Sequence, residues 1–268
     1  MIDPRLPEAV GGFLLSKLRR DRPGIIGIAG SQGSGKSTLA AHLAKTYGGV
    51  SLSLDDVYLT RDERMNLGRR VHPLFLTRGV PGTHDLDLLS EVLDALSGAS
   101  DDTETPLPVF DKLADERLPI EQWPVHRGRP RFIILEGWCL GAVPEPEKRL
   151  REPVNALEAE ADPERHWRDA VNEALSGRYA QLHRRLDGLC YLQAPDFETV
   201  LDWRCEQEAG LLGVDSIPAG RRGAIRRFVA HFQRLTLWMM QGGIMADLVI
   251  ELDRSRHVVA IAQGDTTC

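Results

Sequence analysis

The chain has 268 residues and a formal net charge of −6, with 39 acidic against 33 basic side chains. That length suits one large α/β domain, and the acidic balance argues against a general nucleic-acid-binding protein. No apolar run reaches membrane-spanning length, and the patch at residues 10–15 does not resemble a signal peptide, so we expect a cytoplasmic protein without a membrane partner.

The first predicted strand, residues 25–29, leads into the sequence GSQGSGKS, Gly30 to Ser37. This segment matches the phosphate-binding loop pattern of glycine, any four residues, glycine, lysine and serine or threonine. Apolar residues at helical spacing follow it, so the loop lies between a strand and a helix, as nucleoside triphosphate binding requires. A glycine turn with a surface lysine is the alternative interpretation.

The residue types of this loop suit a triphosphate. Backbone N–H groups at a helix N-terminus bind anions, and Gly33 and Gly35 keep the backbone open. Lys36 can reach the β and γ phosphates, and the Ser37 hydroxyl is placed for Mg²⁺. The predicted nucleotide-binding residues are Gly30, Ser31, Gln32, Gly33, Ser34, Gly35, Lys36, Ser37 and Thr38, of which Thr38 also suits ordinary helix.

A second predicted strand, residues 50–54, ends at Asp55 and Asp56. In open α/β sheets ligands lie outside the carboxyl ends of the strands, so a carboxylate here can meet the γ phosphate and the attacking hydroxyl as a general base. Spacing does not choose between the two residues. An aspartate at a strand end also suits a turn or a helix cap.

A basic segment follows, containing Arg61, Arg64, Arg69, Arg70, His72, Arg78 and His84. It can hold an anionic substrate, or its arginines can pair with acidic side chains in a solvated loop. The sequence RGVPGTHD at residues 78–85 then marks a turn, with Thr83 or Asp85 capping a helix whose apolar face includes Leu86 and Leu96. We predict a loop at residues 97–108 and an ordered excursion over the site at residues 109–119.

The next predicted strand, residues 132–135, ends at Glu136 and Gly137 and resembles a Walker B strand. An acid at this position can hold a magnesium-bound water, and the glycine permits a tight turn. A structural role is the alternative for an isolated strand-terminal glutamate. Beside a phosphate loop, we interpret Glu136 and Ser37 as metal-site residues.

The second half is predicted to contain an exposed connection at residues 141–163, a helix at 164–186, a strand at 189–192 and a helix from Asp196. Arginines suited to a lid over the phosphates follow, although surface solvation is the alternative for each: Arg204, Arg221, Arg222, Arg226 and Arg227. A helix at 222–240 and strands at 246–251 and 258–261 complete the chain. The apolar residues of that helix are interpreted as core rather than a base-stacking surface: Phe228, Phe232, Leu235, Trp238 and Met239.

The four cysteines, Cys139, Cys190, Cys205 and Cys268, lack metal-type spacing. We expect reduced and mostly buried thiols.

Six motifs occur in an order that resembles D-glycerate 3-kinase of the plant and fungal type and its bacterial relatives: GSQGSGKST, SLDDVYLT, RGVPGTHD, FDK, LEGWCLG and WRCEQE. That family is a branch of the phosphoribulokinase, uridine kinase and pantothenate kinase group. The resemblance covers residues 24–262. The phosphate loop is shared by many families, whereas SLDDVY followed by RGVPGTHD and EGW is much narrower.

The resemblance implies an α/β P-loop NTPase fold, with a mainly parallel sheet flanked by helices and a helical lid. Residues 1–268 are expected to form a single P-loop kinase domain, with 141–188 as a polar connection plus helical insert and about 204–227 as the lid region. ATP and Mg²⁺ are the implied cofactors. The implied catalytic residues are Asp55, Lys36 and Arg204, and the implied substrate-binding residues are Asp55, Tyr58, Arg78, His84, Asp85, Asp111 and Lys112.

The expected reaction is ATP-dependent phosphorylation of a small anionic alcohol, D-glycerate to 3-phosphoglycerate. Two alternatives stay open at this point. The acceptor can be another small alcohol, such as uridine or pantothenate. The protein can also be an ATP-binding regulator that hydrolyses ATP slowly and binds a protein through its charged surface.

Overall fold

The computed structural model describes residues 3–264, so Cys268 lies outside the described residues. Its helices are α1 (Arg5–Ser16), α2 (Lys36–Tyr47), α3 (Arg61–Arg70), α4 (Leu86–Ser97), α5 (Glu147–Leu150), α6 (Ala156–Ala161), α7 (His166–Ala174), α8 (Ala180–His183), α9 (Phe197–Leu212) and α10 (Ala219–Met240). Its strands are β1 (Gly24–Gly30), β2 (Val50–Ser53), β3 (Glu104–Pro106), β4 (Phe110–Asp111), β5 (Glu116–Arg117), β6 (Val125–Arg127), β7 (Phe132–Gly137), β8 (Gly188–Gln193), β9 (Leu248–Leu252) and β10 (Val258–Gln263).

A six-stranded sheet organises the chain in the order β10-β9-β8-β1-β7-β2. All neighbouring pairs are parallel except β9 and β10, which are antiparallel. Every residue of β1 and β7 is buried, as expected for central parallel strands covered on both faces. The predicted α/β fold with a mainly parallel sheet is confirmed.

Alternation along β1 divides the core into two layers. Ile26 and Ile28 face the layer formed with α1 and α2, whereas Ile25 and Ala29 face the layer formed with α4 and α10. In α10, Phe232, Leu235 and Met239 are buried, and Phe228 and Trp238 pack against the same layer, so the predicted core role is confirmed. Within residues 3–264, no helix is both long and apolar enough to cross a membrane.

Several local predictions are confirmed. The apolar face of α4 is buried as expected, and the side chain of Asp85 caps its N-terminus by accepting a hydrogen bond from the backbone N–H of Leu88. Three cysteines, Cys139, Cys190 and Cys205, are free and buried. Burial raises the pKa of the Cys139 thiol, which keeps it protonated at neutral pH.

Two stretches differ from the sequence prediction. Residues 97–108 are not only a loop, because β3 lies within them and pairs with β6. The connection at residues 141–163 is only partly exposed: most of its residues are exposed as predicted, but Glu145, Glu158 and Asp162 are buried within it. Arg234 of α10 forms ion pairs with Glu145 and Glu158, so burial of paired charges, which composition does not reveal, holds this connection against the core.

The predicted helix at residues 164–186 is confirmed, with one irregularity. Between α7 and α8 the chain forms a π-helical turn, Leu175–Tyr179, so the helix is continuous but carries an extra residue in that turn. Such π-helical turns occur frequently at functional sites. Here the turn ends at Tyr179, whose side chain is buried against the loop before α4.

Candidate active site

The phosphate loop lies between β1 and α2, and several of its buried polar groups have no hydrogen-bond partner within residues 3–264. Gly33 and Gly35 adopt left-handed backbone conformations, with φ of 75° and 90°. A Cβ on Gly33 would lie 2.6 Å from the Cβ of Trp203, so glycine is required there for close packing. The Ser31 and Ser34 hydroxyls and the Gln32 Oε1 are buried without a hydrogen-bond partner within residues 3–264. Bound phosphates can supply partners for the hydroxyls.

Glu136 is the centre of a polar cluster at the carboxyl ends of β7 and β2. The Ser37 hydroxyl donates to its Oε1 at 2.9 Å, and the Ser53 hydroxyl donates to the same oxygen at 2.6 Å. The Nζ of Lys36 lies 3.9 Å from the other carboxylate oxygen. Parallel pairing of the two strands, which sets Ser53 opposite Glu136, creates this cluster.

The oxygen donors of this cluster fit Mg²⁺, which prefers hydroxyl, carboxylate and phosphate oxygens. Within residues 3–264, no three His, Cys, Asp or Glu side chains form a metal-binding group. Phosphate loops typically hold Mg²⁺ through one or two protein oxygens, with phosphates and waters completing the shell.

Asp55 lies just after β2 among groups that keep it ionised. The Tyr58 hydroxyl donates to its Oδ1 at 2.6 Å, and the Nζ of Lys112 is 3.7 Å from its Oδ2. Burial opposes ionisation of Asp55, but the charges of Lys112 and Lys36 and the Tyr58 hydrogen bond lower its pKa. The side chain is therefore a carboxylate at neutral pH, able to accept a hydrogen bond or proton from an alcohol.

Asp56 has a different environment, which separates the two aspartates. It lines a second cavity of about 120 Å³ together with Leu89, Leu107 and Val109, and accepts a long hydrogen bond from the Phe110 N–H at 3.4 Å. Burial raises the pKa of Asp56 to about 6. Asp55, by contrast, lines the cavity of the phosphate loop, so the geometry favours Asp55 as the acid that meets the phosphates.

The phosphate-loop cavity has a volume of about 710 Å³, which is ample for a nucleotide. It contains most of the predicted nucleotide-binding residues and also groups that the sequence did not indicate. Its lining consists of Gln32, Gly33, Ser34, Gly35, Lys36, Ser37, Thr38, Asp55 and Lys112 from the predicted set, with Asp3, Leu6, Trp203, Glu206, Gln207 and Arg256 in addition.

Arg256, one of these additional residues, contacts both the phosphate loop and α9. Its Nε donates to the Gly33 carbonyl at 2.6 Å, its Nη2 pairs with Glu206 at 2.7 Å, and its guanidinium lies 4.9 Å from the Trp203 ring centroid. It thus connects the turn between β9 and β10 to the phosphate loop and to α9. No motif marks it, but its place just beyond the carboxyl end of β9 was a usable signal, because ligands lie outside such ends.

The acceptor-side residues meet through the hairpin of β4 and β5. Arg78 pairs with Asp115 and donates to the Lys112 carbonyl at 3.0 Å. Its guanidinium lies 5.5 Å from the Phe110 ring centroid and 6.0 Å from that of Tyr58. Tyr58 and Lys112 therefore contact Asp55, Arg78 lies beside both of them, and the hairpin forms an ordered excursion next to Asp55. Their roles in acceptor binding stay predictions.

Two predicted substrate-binding residues have local structural partners. Asp85 caps α4 and also pairs with Arg117 at 2.8 Å. Asp111 accepts backbone hydrogen bonds from Leu113 and Ala114, which close the hairpin turn and lower its pKa. Their roles in substrate binding stay predictions.

The basic segment divides into buried and exposed members. Arg64 is buried, pairs with Asp115 at 2.8 Å and donates to the carbonyls of Leu59 and Leu76. Arg61, Arg69 and Arg70 are exposed. Arg64 and Arg78 thus pair with an acidic side chain, as one of the two interpretations predicts, although Arg64 is buried rather than in a solvated loop. The substrate-binding interpretation stays a prediction.

The predicted lid region contains arginines that connect α9 and α10. Arg204 pairs with Glu208 at 3.1 Å and packs near the Phe228 ring, and Arg221 pairs with the same glutamate. Arg222 pairs with Asp202 at 2.6 Å. Of this region, Glu206 and Gln207 line the phosphate-loop cavity and Arg204 does not. The catalytic role of Arg204 stays a prediction that requires its release from Glu208.

Known proteins are similar to this chain in sequence and in fold, although no protein-family model matches it. "Uncharacterized kinase mug58" of Schizosaccharomyces pombe is 35% identical over 210 residues, which is 71% of this chain and 72% of the relative. "Probable ATP-dependent kinase TDA10" of Saccharomyces cerevisiae is 37% identical over 142 residues, 46% of this chain and 47% of the relative.

A solved structure, D-glycerate 3-kinase from Cryptococcus neoformans, superposes with a TM-score of 0.77 and 26% identity, covering 96% of this chain and 98% of the other. These similarities agree with the phosphate loop, the carboxylate at the end of β7 and the parallel sheet. The chain therefore belongs to the family of P-loop kinases that includes D-glycerate 3-kinase, and it is an ATP-dependent kinase.

Proposed function

We propose that the chain transfers the γ-phosphoryl group of ATP to the primary alcohol of D-glycerate, giving 3-phosphoglycerate and ADP. The observation that carries the proposal is the ionised Asp55, which lines the phosphate-loop cavity with Lys112 3.7 Å away. A base for an alcohol and a cation for a carboxylate thus lie side by side. The similarity to a fungal D-glycerate 3-kinase supports this choice of acceptor.

The transfer forms one bond and breaks one. The alcohol oxygen of the acceptor attacks the γ phosphorus, and the bond from that phosphorus to the oxygen bridging to the β phosphate breaks, releasing ADP. Asp55 orients the alcohol and receives its proton. Lys36, which is buried at the start of α2, stabilises the charge that develops between the β and γ phosphates.

Mg²⁺ is proposed as the metal, held through Ser37, with Glu136 and Ser53 orienting that hydroxyl or a metal-bound water. When bound, the ion neutralises charge on the β and γ phosphates. The Ser37 hydroxyl now donates to Glu136, and it can turn its oxygen toward a cation while Glu136 accepts from a coordinated water instead.

The acceptor is proposed to be a small anionic alcohol, with neither nucleic acid nor membrane as a partner. Lys112 is exposed enough to move toward a ligand, and Arg78 can offer its guanidinium to a carboxylate in bidentate fashion. Arg78 already pairs with Asp115, so binding of the acceptor carboxylate has to compete with that pair. This competition favours anions over neutral alcohols of the same size.

Closure of the lid region, residues 204–227, is proposed to exclude water, which is a competing nucleophile. Arg204 and Arg222 are now paired with acids on α9. Release of one of these arginines toward the phosphates would stabilise the spread charge of the transferring group.

The test is ADP release with Mg·ATP against D-glycerate, L-glycerate, uridine, pantothenate and ribulose 5-phosphate, with a control lacking any acceptor. We expect strong stimulation by D-glycerate alone. Stimulation by a different alcohol would keep the kinase and overturn the acceptor. Steady hydrolysis that no acceptor changes would instead favour the regulator that uses ATP slowly.

A further inference from the structure

His84 is a buried side chain with one ring nitrogen engaged and the other free. Its Nδ1 forms a hydrogen bond with the hydroxyl of Tyr179, and its Nε2 is buried without a partner within residues 3–264. The residue is 5% exposed, and burial lowers its pKa to about 4, so the ring is neutral at neutral pH. A buried polar atom without a partner is costly unless a ligand or water satisfies it.

Tyr179 belongs to the helical insert at residues 141–188, far from His84 in sequence. It ends the π-helical turn between α7 and α8 and is 1% exposed. Its hydroxyl accepts a hydrogen bond from the backbone N–H of Gly82 at 3.2 Å. Gly82 has a φ of 100°, so the loop before α4 adopts a conformation that presents this N–H to the tyrosine.

The hydrogen atoms available to these groups decide the tautomer of His84. Gly82 supplies the hydrogen of its N–H to the Tyr179 oxygen, so the single hydroxyl hydrogen of Tyr179 remains for the Nδ1 of His84. If Nδ1 carried the hydrogen instead, the buried tyrosine hydrogen would have no acceptor. The neutral ring therefore carries its hydrogen on Nε2, which makes the free nitrogen a donor.

His84 lies beside residues of the acceptor half of the site. The His84 ring centroid lies 4.9 Å from that of Tyr58, and the Tyr58 hydroxyl binds Asp55. His84 does not line the phosphate-loop cavity but lines a separate cavity of about 240 Å³ with Tyr179, Gly82 and Leu59.

We propose that Tyr179 is a positioning residue that fixes His84 as an Nε2–H donor, and that this donor binds an oxygen of the small hydroxy acid whose alcohol meets Asp55. The inference rests on the proposed function, because it assigns the contact to the acceptor. It gives the insert a direct part in acceptor recognition. The π-helical turn supplies the geometry, since it carries the tyrosine hydroxyl to the ring nitrogen.

The tautomer is tested first, with no acceptor present. In ¹⁵N-histidine-labelled full-length protein with ADP, the His84 signals are identified by their loss in His84→Gln. We expect shifts of a neutral ring protonated on Nε2 in the unsubstituted chain, and a change toward mixed tautomers in Tyr179→Phe. An Nδ1-protonated or cationic ring in the unsubstituted protein, or an unchanged tautomer in Tyr179→Phe, would overturn the inference.

Kinetics with the acceptor found by ADP release then tests the contact. We expect Tyr179→Phe to raise the KM for the acceptor about tenfold, while the KM for ATP changes less than twofold. His84→Gln keeps an N–H near the Nε2 position, so its KM for the acceptor should stay within about threefold of the unsubstituted value. In His84→Ala the KM for the acceptor should rise about tenfold or more. Tyr191→Phe, which removes another buried tyrosine hydroxyl on β8, is the matched control.

An equal rise in the KM for the acceptor and the KM for ATP in Tyr179→Phe would show a merely structural role and overturn the proposal. A rise in the acceptor KM as large in Tyr191→Phe would do the same. The two hypotheses fail separately. If D-glycerate gives no stimulation, the proposed function fails, yet the tautomer measurement still decides the arrangement of Tyr179 and His84. If D-glycerate is the acceptor but its KM is insensitive to both residues, only this inference fails.

Discussion

The nucleotide half and the acceptor half of the site satisfy their polar groups in different ways. In the phosphate loop, the buried hydroxyls of Ser31 and Ser34 have no partner within residues 3–264. In the acceptor half, Arg78 and Arg64 both pair with Asp115 on the β4–β5 hairpin. On the proposed function, the nucleotide half gains hydrogen bonds from its ligand, whereas Arg78 in the acceptor half has to exchange an internal ion pair for one, and only the Nε2 of His84 is unpartnered there among the acceptor-half residues discussed above.

The difference predicts where specificity arises. A loop of backbone and hydroxyl donors binds any polyphosphate, and it contributes affinity more than choice. An arginine that must leave a carboxylate binds only a ligand that replaces the lost interaction, so it rejects neutral alcohols. Variants of the two halves should therefore change different kinetic constants.

Asp55→Asn should have the largest effect, because Asp55 joins the two halves. We expect kcat to fall about 10³-fold, since positioned general bases contribute roughly 10²–10⁴-fold, with the Kd for ADP changed less than threefold. Steady-state assays and calorimetric titration of ADP check the two numbers. Asn preserves the size of the side chain and can still accept from the Tyr58 hydroxyl.

Asp56→Asn is the matched control for that variant, since Asp56 lies next to it in sequence but lines the other cavity. It should keep kcat within about threefold. A large loss in Asp56→Asn together with a small one in Asp55→Asn would reverse the assignment of the base, and the distinction between the two cavities would then have no catalytic meaning.

Arg78→Lys should affect only the acceptor half. A lysine keeps the charge but loses the planar, bidentate donors, so we expect the KM for the acceptor to rise about tenfold while the KM for ATP stays within twofold. Arg69→Lys, on the exposed end of α3, is the control in the same basic segment. Similar changes in both variants would mean that net charge, rather than the Arg78 contact, governs acceptor binding.

Much of the nucleotide half could be predicted from the sequence, because it depends on local rules. The phosphate loop, Asp55 just after β2 and Glu136 at the end of β7 all follow from short motifs joined to strands. Parallel pairing then brings Ser53 and Glu136 together without further information. The resemblance to a known family added Tyr58 and Lys112 and assigned them to the acceptor site together with Arg78, which the basic segment had already indicated.

The remaining contacts depend on packing between distant segments. Tyr179 reaches His84 through a π-helical turn, and a periodicity of 3.6 does not signal such a turn. Arg256 meets Gly33 across 223 positions of sequence. Composition predicts an exposed segment at residues 141–163, but two of its carboxylates, Glu145 and Glu158, are buried in ion pairs with Arg234. Complementary charges that are far apart in sequence leave no local pattern.

Arg256→Ala should weaken the nucleotide half. The substitution removes the hydrogen bond to the Gly33 carbonyl and the contact with Trp203, so we expect the Kd for ADP to rise about fivefold with the acceptor KM unchanged. Binding can be followed by calorimetry. Arg254→Ala removes a more exposed arginine from the same turn and should change neither constant. An increase in the acceptor KM alone would contradict the division of the site into two halves.

Asp56→Asn should show the smallest effect, on stability rather than rate. The pKa of Asp56 is about 6 in the folded chain against 3.8 for the free side chain, so between these values the folded chain binds more protons than the unfolded chain. Its contribution to the free energy of unfolding therefore falls as the pH rises through this window.

Because the side chain is partly exposed, we expect Asp56→Asn to gain on the order of 1 kcal/mol relative to the unsubstituted chain between pH 4 and pH 7.5. Urea unfolding at both pH values measures the free energies of unfolding of the two proteins. If their difference stayed constant with pH, Asp56 would be as well solvated as an ordinary aspartate. Asp55, whose pKa is lowered, should respond with the opposite sign, which makes the neighbouring pair a direct comparison of the two environments.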